Sequence, residues 1–479
     1  MSGNMRGNMR GNMRDNTGDV SGNVNGNLVE SKDGTTARNP EHFRVVGPIG
    51  AIGIVVASMV GSGIFSLTGQ FGAKVGSSQN ILAAWIIGGV LAICGGLSLA
   101  ELGAMIPCSG GSVEFARRAF GRTTGYLVAM VTILSGYFLS IAVVGLLLAQ
   151  YANQLLPTPL DLNLIASVVI VVAFASQLPG LRAGYALNTV LSIMKIGFVA
   201  MFVIAGLFWP VEARMTAPVA TAAAEHPGIF SAAVASATLV VSFAYLGWST
   251  GADIAGDIKR PGRNVPLAII AAITLVFALY IGVNLVYLRV IDPAAMVEPD
   301  GTPMQAIGAV AARLLFGTAV GDAMAGVIAM LFFSTIVSGT ITAARILESM
   351  AHAREIPAWT GVRLANGVPL RALIVTVAAS LISLAVGNLN DILGMLTVLV
   401  NVFSSLSVAA VLVLRRTMPD APRPFRVPLY PITPIVYLAL AGWSVVASVM
   451  DGGVTAIVAS IAAVAILLLI KPLLGLSSR

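Results

Sequence analysis

Between its charged residues the chain runs through twelve hydrophobic windows, at residues 45–73, 75–100, 123–160, 162–181, 183–211, 227–252, 264–288, 323–344, 372–390, 392–414, 427–450 and 452–470. A helix crosses the hydrocarbon core of a bilayer with about 20 apolar residues, and lipid tolerates only helices or closed barrels. The pattern predicts an all-α integral membrane protein with 12 transmembrane helices. Composition agrees, because charged residues make up 10% of the chain where a soluble domain carries about 25%. The stretch 289–322 is too charged to span and reads as a long loop with a short helix around Pro303–Phe316.

One ionisable side chain, Lys195, lies inside a window, halfway along Val190–Gly206. Hydrocarbon penalises a central charge by about 2.5–3.5 kcal/mol even on the lenient insertion scale, which makes such a residue a functional candidate. The other basic residues set the orientation. With the N-terminus inside, 23 of the 28 Lys and Arg fall in the tails and even-numbered loops, and only Lys74, Arg214, Arg289 and Arg313 fall outside. That asymmetry predicts cytoplasmic N- and C-termini and a plasma (bacterial inner) membrane protein. It also accounts for the net charge of +7 without a nucleic-acid partner.

Residues 1–44 read as a disordered cytoplasmic tail, with Gly-Asn-Met-Arg repeated at 3–6, 7–10 and 11–14 and almost nothing apolar to bury. The tail lacks the apolar core of a cleavable signal peptide. Two cysteines occur, Cys94 and Cys108, and no structural disulfide is expected.

Two windows carry glycines where a helix is weakest. The first reads Ile54 to Phe65 with Gly61-Ser62-Gly63 at mid-membrane, and the sixth reads Val240 to Trp248 with Gly247 among aromatics. Unwound backbone at that depth survives only where it is buried in protein or lines a cavity. The freed N–H groups of Ser62, Gly63 and Ile64 would crown a second half-helix as an anion site, for which a carboxylate is the natural guest. The same small residues also suit plain close packing of helices. Interrupted segments at matching positions of two halves point to a site between inverted repeats. The repeats would be about 45–211 and 227–414, with helices 11 and 12 at about 427–470 as extras in a transporter domain spanning 45–475.

The chain resembles the amino acid/polyamine/organocation (APC) superfamily of secondary transporters, with their LeuT-like 5+5 inverted repeat and broken helices 1 and 6. The resembling motifs are Gly61 to Phe65, Ala100 to Gly111, Phe243 to Trp248, Ala255 to Pro266 and Arg423-Pro-Phe-Arg-Val-Pro-Leu-Tyr-Pro431. They lie in the expected order over about 45–475. The resemblance implies an amino-acid site lined by Met59, Gly61, Ser62, Gly63, Ile64, Phe243, Ala244, Tyr245, Leu246 and Trp248. In it Ser62, Gly63 and Ile64 would donate to the substrate carboxylate, and the carbonyls of Met59, Phe243 and Leu246 would accept from its ammonium. Phe243, Tyr245 and Trp248 would serve as aromatic gates or, alternatively, as ordinary core aromatics. Lys195 would stand where sodium-coupled relatives hold sodium and act as the proton-coupling group. Ser334, Thr335 and Ser338 of span eight are candidates to line its niche.

Several relatives carry an acid two positions after the span-six glycine, where this chain has Ser249, and the nearest acid is Asp253. Proton symport of neutral amino acids is therefore expected, with exchange, or a cationic amino acid or polyamine substrate, as the alternative. Glu101 is expected to pair with loop arginines such as Arg117 or Arg118. No enzyme, metal or cofactor motif occurs, and the windows are too apolar for a channel. A transporter-like nutrient sensor would carry the same motifs. A disulfide-linked heavy chain is not expected, since the loop Tyr151–Asn163 after span three holds no cysteine.

Overall fold

The computed structural model describes residues 28–30, 36–38, 44, 46–61, 63–108, 110–178, 181–216, 227–298, 301–352, 355–364, 368–451 and 454–473. For 28–30, 36–38, 181–192, 352, 386 and 470–473 it describes the backbone alone. Residues up to Val45 and residues from Val46 onward form two separate compact units. In the first, β1 (Leu28–Glu30) pairs antiparallel with β2 (Thr36–Arg38); apart from Arg44, the rest of the expected disordered tail lies outside the described residues.

The second unit is helical. Its elements are α1 (Pro48–Met59), α2 (Gly63–Val75), α3 (Ser78–Met105), α4 (Gly111–Phe120), α5 (Arg122–Ile133), α6 (Ser140–Asn153), α7 (Leu162–Ala175), α8 (Leu181–Phe208) and α9 (Ala232–Ala244). They continue through α10 (Thr250–Asp253), α11 (Pro261–Val290), α12 (Ile307–Phe316), α13 (Thr318–His352), α14 (Leu370–Val386), α15 (Leu389–Thr417), α16 (Ile432–Met450) and α17 (Val454–Leu473). Between α5 and α6 one π-helical stretch, Leu134–Leu139, joins the two into a single long segment. Among the described residues, seven segments are long and apolar enough to cross a membrane: α1 with α2, α3, α5 through α6, α11, most of α13, α15 and α16. Shorter apolar helices include α7, Ile193–Phe208 of α8, α9, Leu370–Ala385 of α14 and Val454–Leu469 of α17. The loop 289–322 holds α12, a little shorter than the helix expected there.

Several charges and polar residues that bound the hydrophobic windows act as helix caps. Asp161 accepts from the Leu164 N–H at 2.8 Å and opens α7. Asn388 and Asp391 form a reciprocal capping box at the start of α15. Ser77 and Ser231 cap α3 and α9 more simply, each accepting through its side chain from the N–H three residues on.

Glu101, fully buried near the end of α3, does not meet Arg117 or Arg118. It receives Arg415 of α15 through Nε at 2.8 Å and Nη2 at 2.5 Å, and the Val427 N–H at 2.7 Å. Arg423 adds its charge at 3.4 Å. A buried carboxylate is stable only with its lone pairs filled, and a bidentate guanidinium with a backbone donor does so. Arg117 and Arg118 instead pair with Glu114, one turn back on α4, and Arg117 also reaches Glu355. These helical neighbours satisfy them locally.

Candidate functional site

Two interruptions of helix meet in the interior. Helix α1 ends at Met59, the cap residue Val60 is extended, and α2 begins at Gly63. Helix α9 ends at Ala244, turns run from Tyr245 to Ser249, and α10 begins at Thr250. Ser62 lies outside the described residues, so the expectation that its N–H crowns α2 is not described.

The two interruptions are in direct contact. A Cβ placed on Gly63 would stand 2.7 Å from Ala244 Cβ and 2.8 Å from its Cα. Gly247 has φ +107°, a conformation that side-chain-bearing residues avoid, and a Cβ there would lie 2.6 Å from both C and O of Ser58. Glycine is thus required at both places for close approach, once at each end of the contact. Gly61 differs: a Cβ on it would meet Met59 O at an ordinary 3.8 Å, so no close approach requires glycine there.

Side chains of α11 hold the crossing in place. Tyr280 is fully buried, with its hydroxyl 2.8 Å from Met59 O and 3.0 Å from Ala244 O, the last helical carbonyls before each interruption. Its ring packs edge-on to Trp85, with centroids 5.4 Å apart, and against Tyr245 at 5.1 Å. One helical turn on, Asn284 accepts from Thr68 Oγ1 at 2.6 Å, and Thr68 accepts from Trp85 Nε1 at 3.0 Å. Tyr287 donates to Ile64 O at 3.2 Å and Tyr151 of α6 to Phe65 O at 2.5 Å, which fixes the first turn of α2. The polar residues Tyr280, Asn284 and Tyr287 recur at helical spacing in an otherwise apolar window, a signal present in the sequence that periodicity alone could have exposed.

The expected lining residues separate into two groups. Met59, Gly61, Gly63, Ile64, Phe243 and Ala244 gather at the crossing. Met59 O already accepts from Tyr280, but a carbonyl has two lone pairs and keeps one for a second donor. Phe243 O accepts from the Leu246 N–H at 3.1 Å within the turn. Tyr245 packs beside the crossing on Tyr280 and Trp85, whereas Trp248 reaches α16. The Tyr245 hydroxyl donates to Trp85 O at 3.3 Å, and the Trp248 ring lies edge-on to Tyr437 of α16 at 5.9 Å. Both line a small cavity with Gly88, Ser242, Asn401 and Tyr437.

Lys195 of α8 is buried, and its Nζ donates to Thr335 Oγ1 of α13 at 3.0 Å. The Thr335 hydroxyl in turn donates a hydrogen bond to Leu331 O at 3.1 Å. Among the described residues no carboxylate lies within 4.0 Å of this amine. Ser334 Oγ is buried without a hydrogen-bond partner, whereas Ser338 serves through its carbonyl, which accepts from Thr342. One turn along α8, Phe198 packs on Phe65 of α2 with centroids 6.0 Å apart, so α8 touches the second half of the interrupted segment. Asp253 is committed elsewhere: its Oδ1 accepts the Ser112 N–H at 2.9 Å and hydroxyl at 2.6 Å.

Tyr280→Phe is expected to keep the ring packing and to leave Met59 O and Ala244 O without this donor. Unpairing a buried polar group costs about 1–3 kcal/mol, so initial uptake of labelled substrate by proteoliposomes should fall roughly tenfold. A wild-type rate would show that the tyrosine does not hold the crossing.

Residues 46–470 match the family model described as amino acid permease. The chain is 26% identical over 401 residues to the serine/threonine exchanger SteT of Bacillus subtilis, covering 83% of this chain and 89% of that protein. It is 26% identical over 411 residues to the human large neutral amino acids transporter small subunit 2, covering 82% and 73%. It is 26% identical over 434 residues to the mouse b(0,+)-type amino acid transporter 1, covering 88% and 86%. With the family model matched over nearly its whole length, the chain belongs to the amino acid permeases of the APC superfamily, a family of membrane transporters.

Proposed function

We propose that the protein is a secondary active transporter of neutral amino acids, coupled to protons through Lys195. The observation that carries this reading is the contact of the two helix interruptions, with Gly63 against Ala244 and Gly247 against Ser58. There α2 offers N–H groups to a carboxylate while the ends of α1 and α9 offer carbonyls to an ammonium. Opposite half-helix ends meeting at one place match the two charges of a zwitterion. In this reading the shorter apolar helices also cross the membrane, giving twelve crossings, a 5+5 inverted repeat and cytoplasmic termini.

Coupling rests on Lys195. Its ammonium, with one hydroxyl partner and no counter-ion among the described residues, would gain and lose its proton as the segment around α2 rearranges. Exchange is the second reading, favoured by the name of the serine/threonine exchanger among the relatives. That the human relative is called a small subunit raises the question of a partner chain. Tyr151–Asn163 contains no cysteine to bond one, and the reading is therefore of a protein without a disulfide-linked partner. Migration unchanged by reductant on a denaturing gel of native membranes is the matching result.

Substrate class follows from charge. Ser249 is neutral, and Asp253 Oδ1 already takes two hydrogen bonds from Ser112, which favours a substrate without a cationic side chain. In proteoliposome uptake, unlabelled neutral amino acids should compete better than arginine, lysine or putrescine. A cation winning that competition overturns the neutral assignment.

A further inference from the structure

We infer that the cleft between the N-terminal ends of α1 and α11 is a binding site for the phosphate of an anionic phospholipid. It is lined by Pro48, Lys259, Arg260, Arg263, Asn264 and Leu267, so three of its six side chains are cations. Among the described residues none of the three lies within 4.0 Å of a carboxylate oxygen. Elsewhere in the protein Arg117, Arg118, Arg214, Arg313, Arg363, Arg415 and Arg423 each have an acidic partner. Three like charges around one cleft repel one another, and an anion between them relieves that repulsion.

Backbone bonds, not ion pairs, fix the cations in place. The Val46 N–H donates to Asp257 O at 3.0 Å and the Lys259 N–H to Val46 O at 2.9 Å, so the segment before α1 is laced to the turn before α11. Asn264 Nδ2 donates to Lys259 O at 2.5 Å and pins the same turn from the helix side. Arg260 takes a left-handed conformation, φ 49°, which is uncommon for a residue with a side chain. A loop built this way does not need a carboxylate to hold its shape. The concentration of positive charge is therefore left for a ligand.

What lies next to the cleft selects the source of the phosphate. Along α11 the exposed residues are Arg263, Leu267, Ile270, Thr274, Leu275, Ala278 and Leu285, which at helical spacing form one outward stripe. Beside it α1 exposes Ile49 and Ile54. In a protein that crosses the bilayer, such a stripe faces acyl chains, and here it ends at the basic cleft. A phospholipid with its tails along Leu267, Ile270 and Leu275 would bring its phosphate to Lys259 and Arg263. A free phosphate shares the headgroup chemistry but has no use for the stripe. The same α11 carries Tyr280, so a lipid at this cleft would brace the helix that holds the crossing.

The full-length protein, purified in detergent, is titrated with phosphatidylglycerol or phosphatidylcholine and read by native mass spectrometry. Phosphatidylglycerol should bind at least tenfold more tightly. In the double variant Lys259→Ala, Arg263→Ala that preference should fall roughly 25-fold, since each basic residue near a membrane surface contributes about a fivefold attraction for anionic lipid and two are removed. The charge-keeping pair Lys259→Arg, Arg263→Lys should retain it. An undiminished preference in the alanine variant overturns the site, and so does displacement of the lipid by millimolar inorganic phosphate, which would make the cleft a free-anion site. A second readout needs no variant. Backbone amides of 46–49 and 258–264 in the wild-type protein should exchange hydrogen more slowly in phosphatidylglycerol nanodiscs than in phosphatidylcholine ones, and equal rates would contradict the proposal.

Discussion

Replacing Gly63 with leucine is expected to abolish amino-acid uptake while the protein still inserts into the membrane. The sequence alone attributes this glycine to the close approach of a substrate carboxylate. The structure supplies a different and stronger reason: a Cβ at this position would stand 2.7 Å from Ala244 Cβ and 2.8 Å from its Cα. Neither partner is the flexible tip of a side chain, so α2 and α9 must separate. Overpacking of this kind costs about 1–3 kcal/mol, and here the strain falls on the two half-helix ends that face the substrate. Leucine is apolar and does not oppose insertion. Gly61→Ala is the matched control. Its Cβ would meet nothing nearer than Met59 O at 3.8 Å, and uptake should stay within a few-fold of wild type. Initial rates of labelled uptake, normalised to protein in the membrane, decide the matter. Near-normal transport by the leucine variant would move the site elsewhere.

Lys195→Ala is expected to insert at least as well as the wild type, because it removes a charge from bilayer depth. Its uptake should lose all dependence on pH or cease. The geometry sharpens this expectation, since the amine has Thr335 as its hydrogen-bond partner and, among the described residues, no carboxylate within 4.0 Å to hold it charged. Uptake by the alanine variant that retains its full pH dependence would assign proton coupling to another group.

Most of the helical order was legible in the sequence because hydrophobic length alone specifies it in lipid. The helix ends were not, since charge marks where hydrocarbon stops and helices often continue past it. The window 323–344 belongs to a helix that runs from Thr318 to His352. Asp391 closed one window yet sits inside the capping box of α15. The interruptions at Gly61 to Gly63 and around Gly247 were legible from glycine placement, but which surface each glycine faces was not. Gly63 and Gly247 press against another helix while Gly61 does not, a distinction that depends on partners more than 180 residues away in the chain. The same distance hid the Glu101–Arg415 pair, whose members are 314 residues apart. Tyr280 went unnoticed because a tyrosine in an apolar window reads as packing until its hydroxyl is placed against Met59 O and Ala244 O.

The most direct test of transport through this site is made in one batch of sodium-free proteoliposomes, with exchange and net accumulation of a labelled neutral amino acid measured side by side. An inward proton gradient should drive accumulation above the equilibrium level, and Lys195→Ala vesicles should show none. Exchange at full rate with no accumulation under any gradient would contradict proton coupling and leave Lys195 a structural cation beside an exchanger's site.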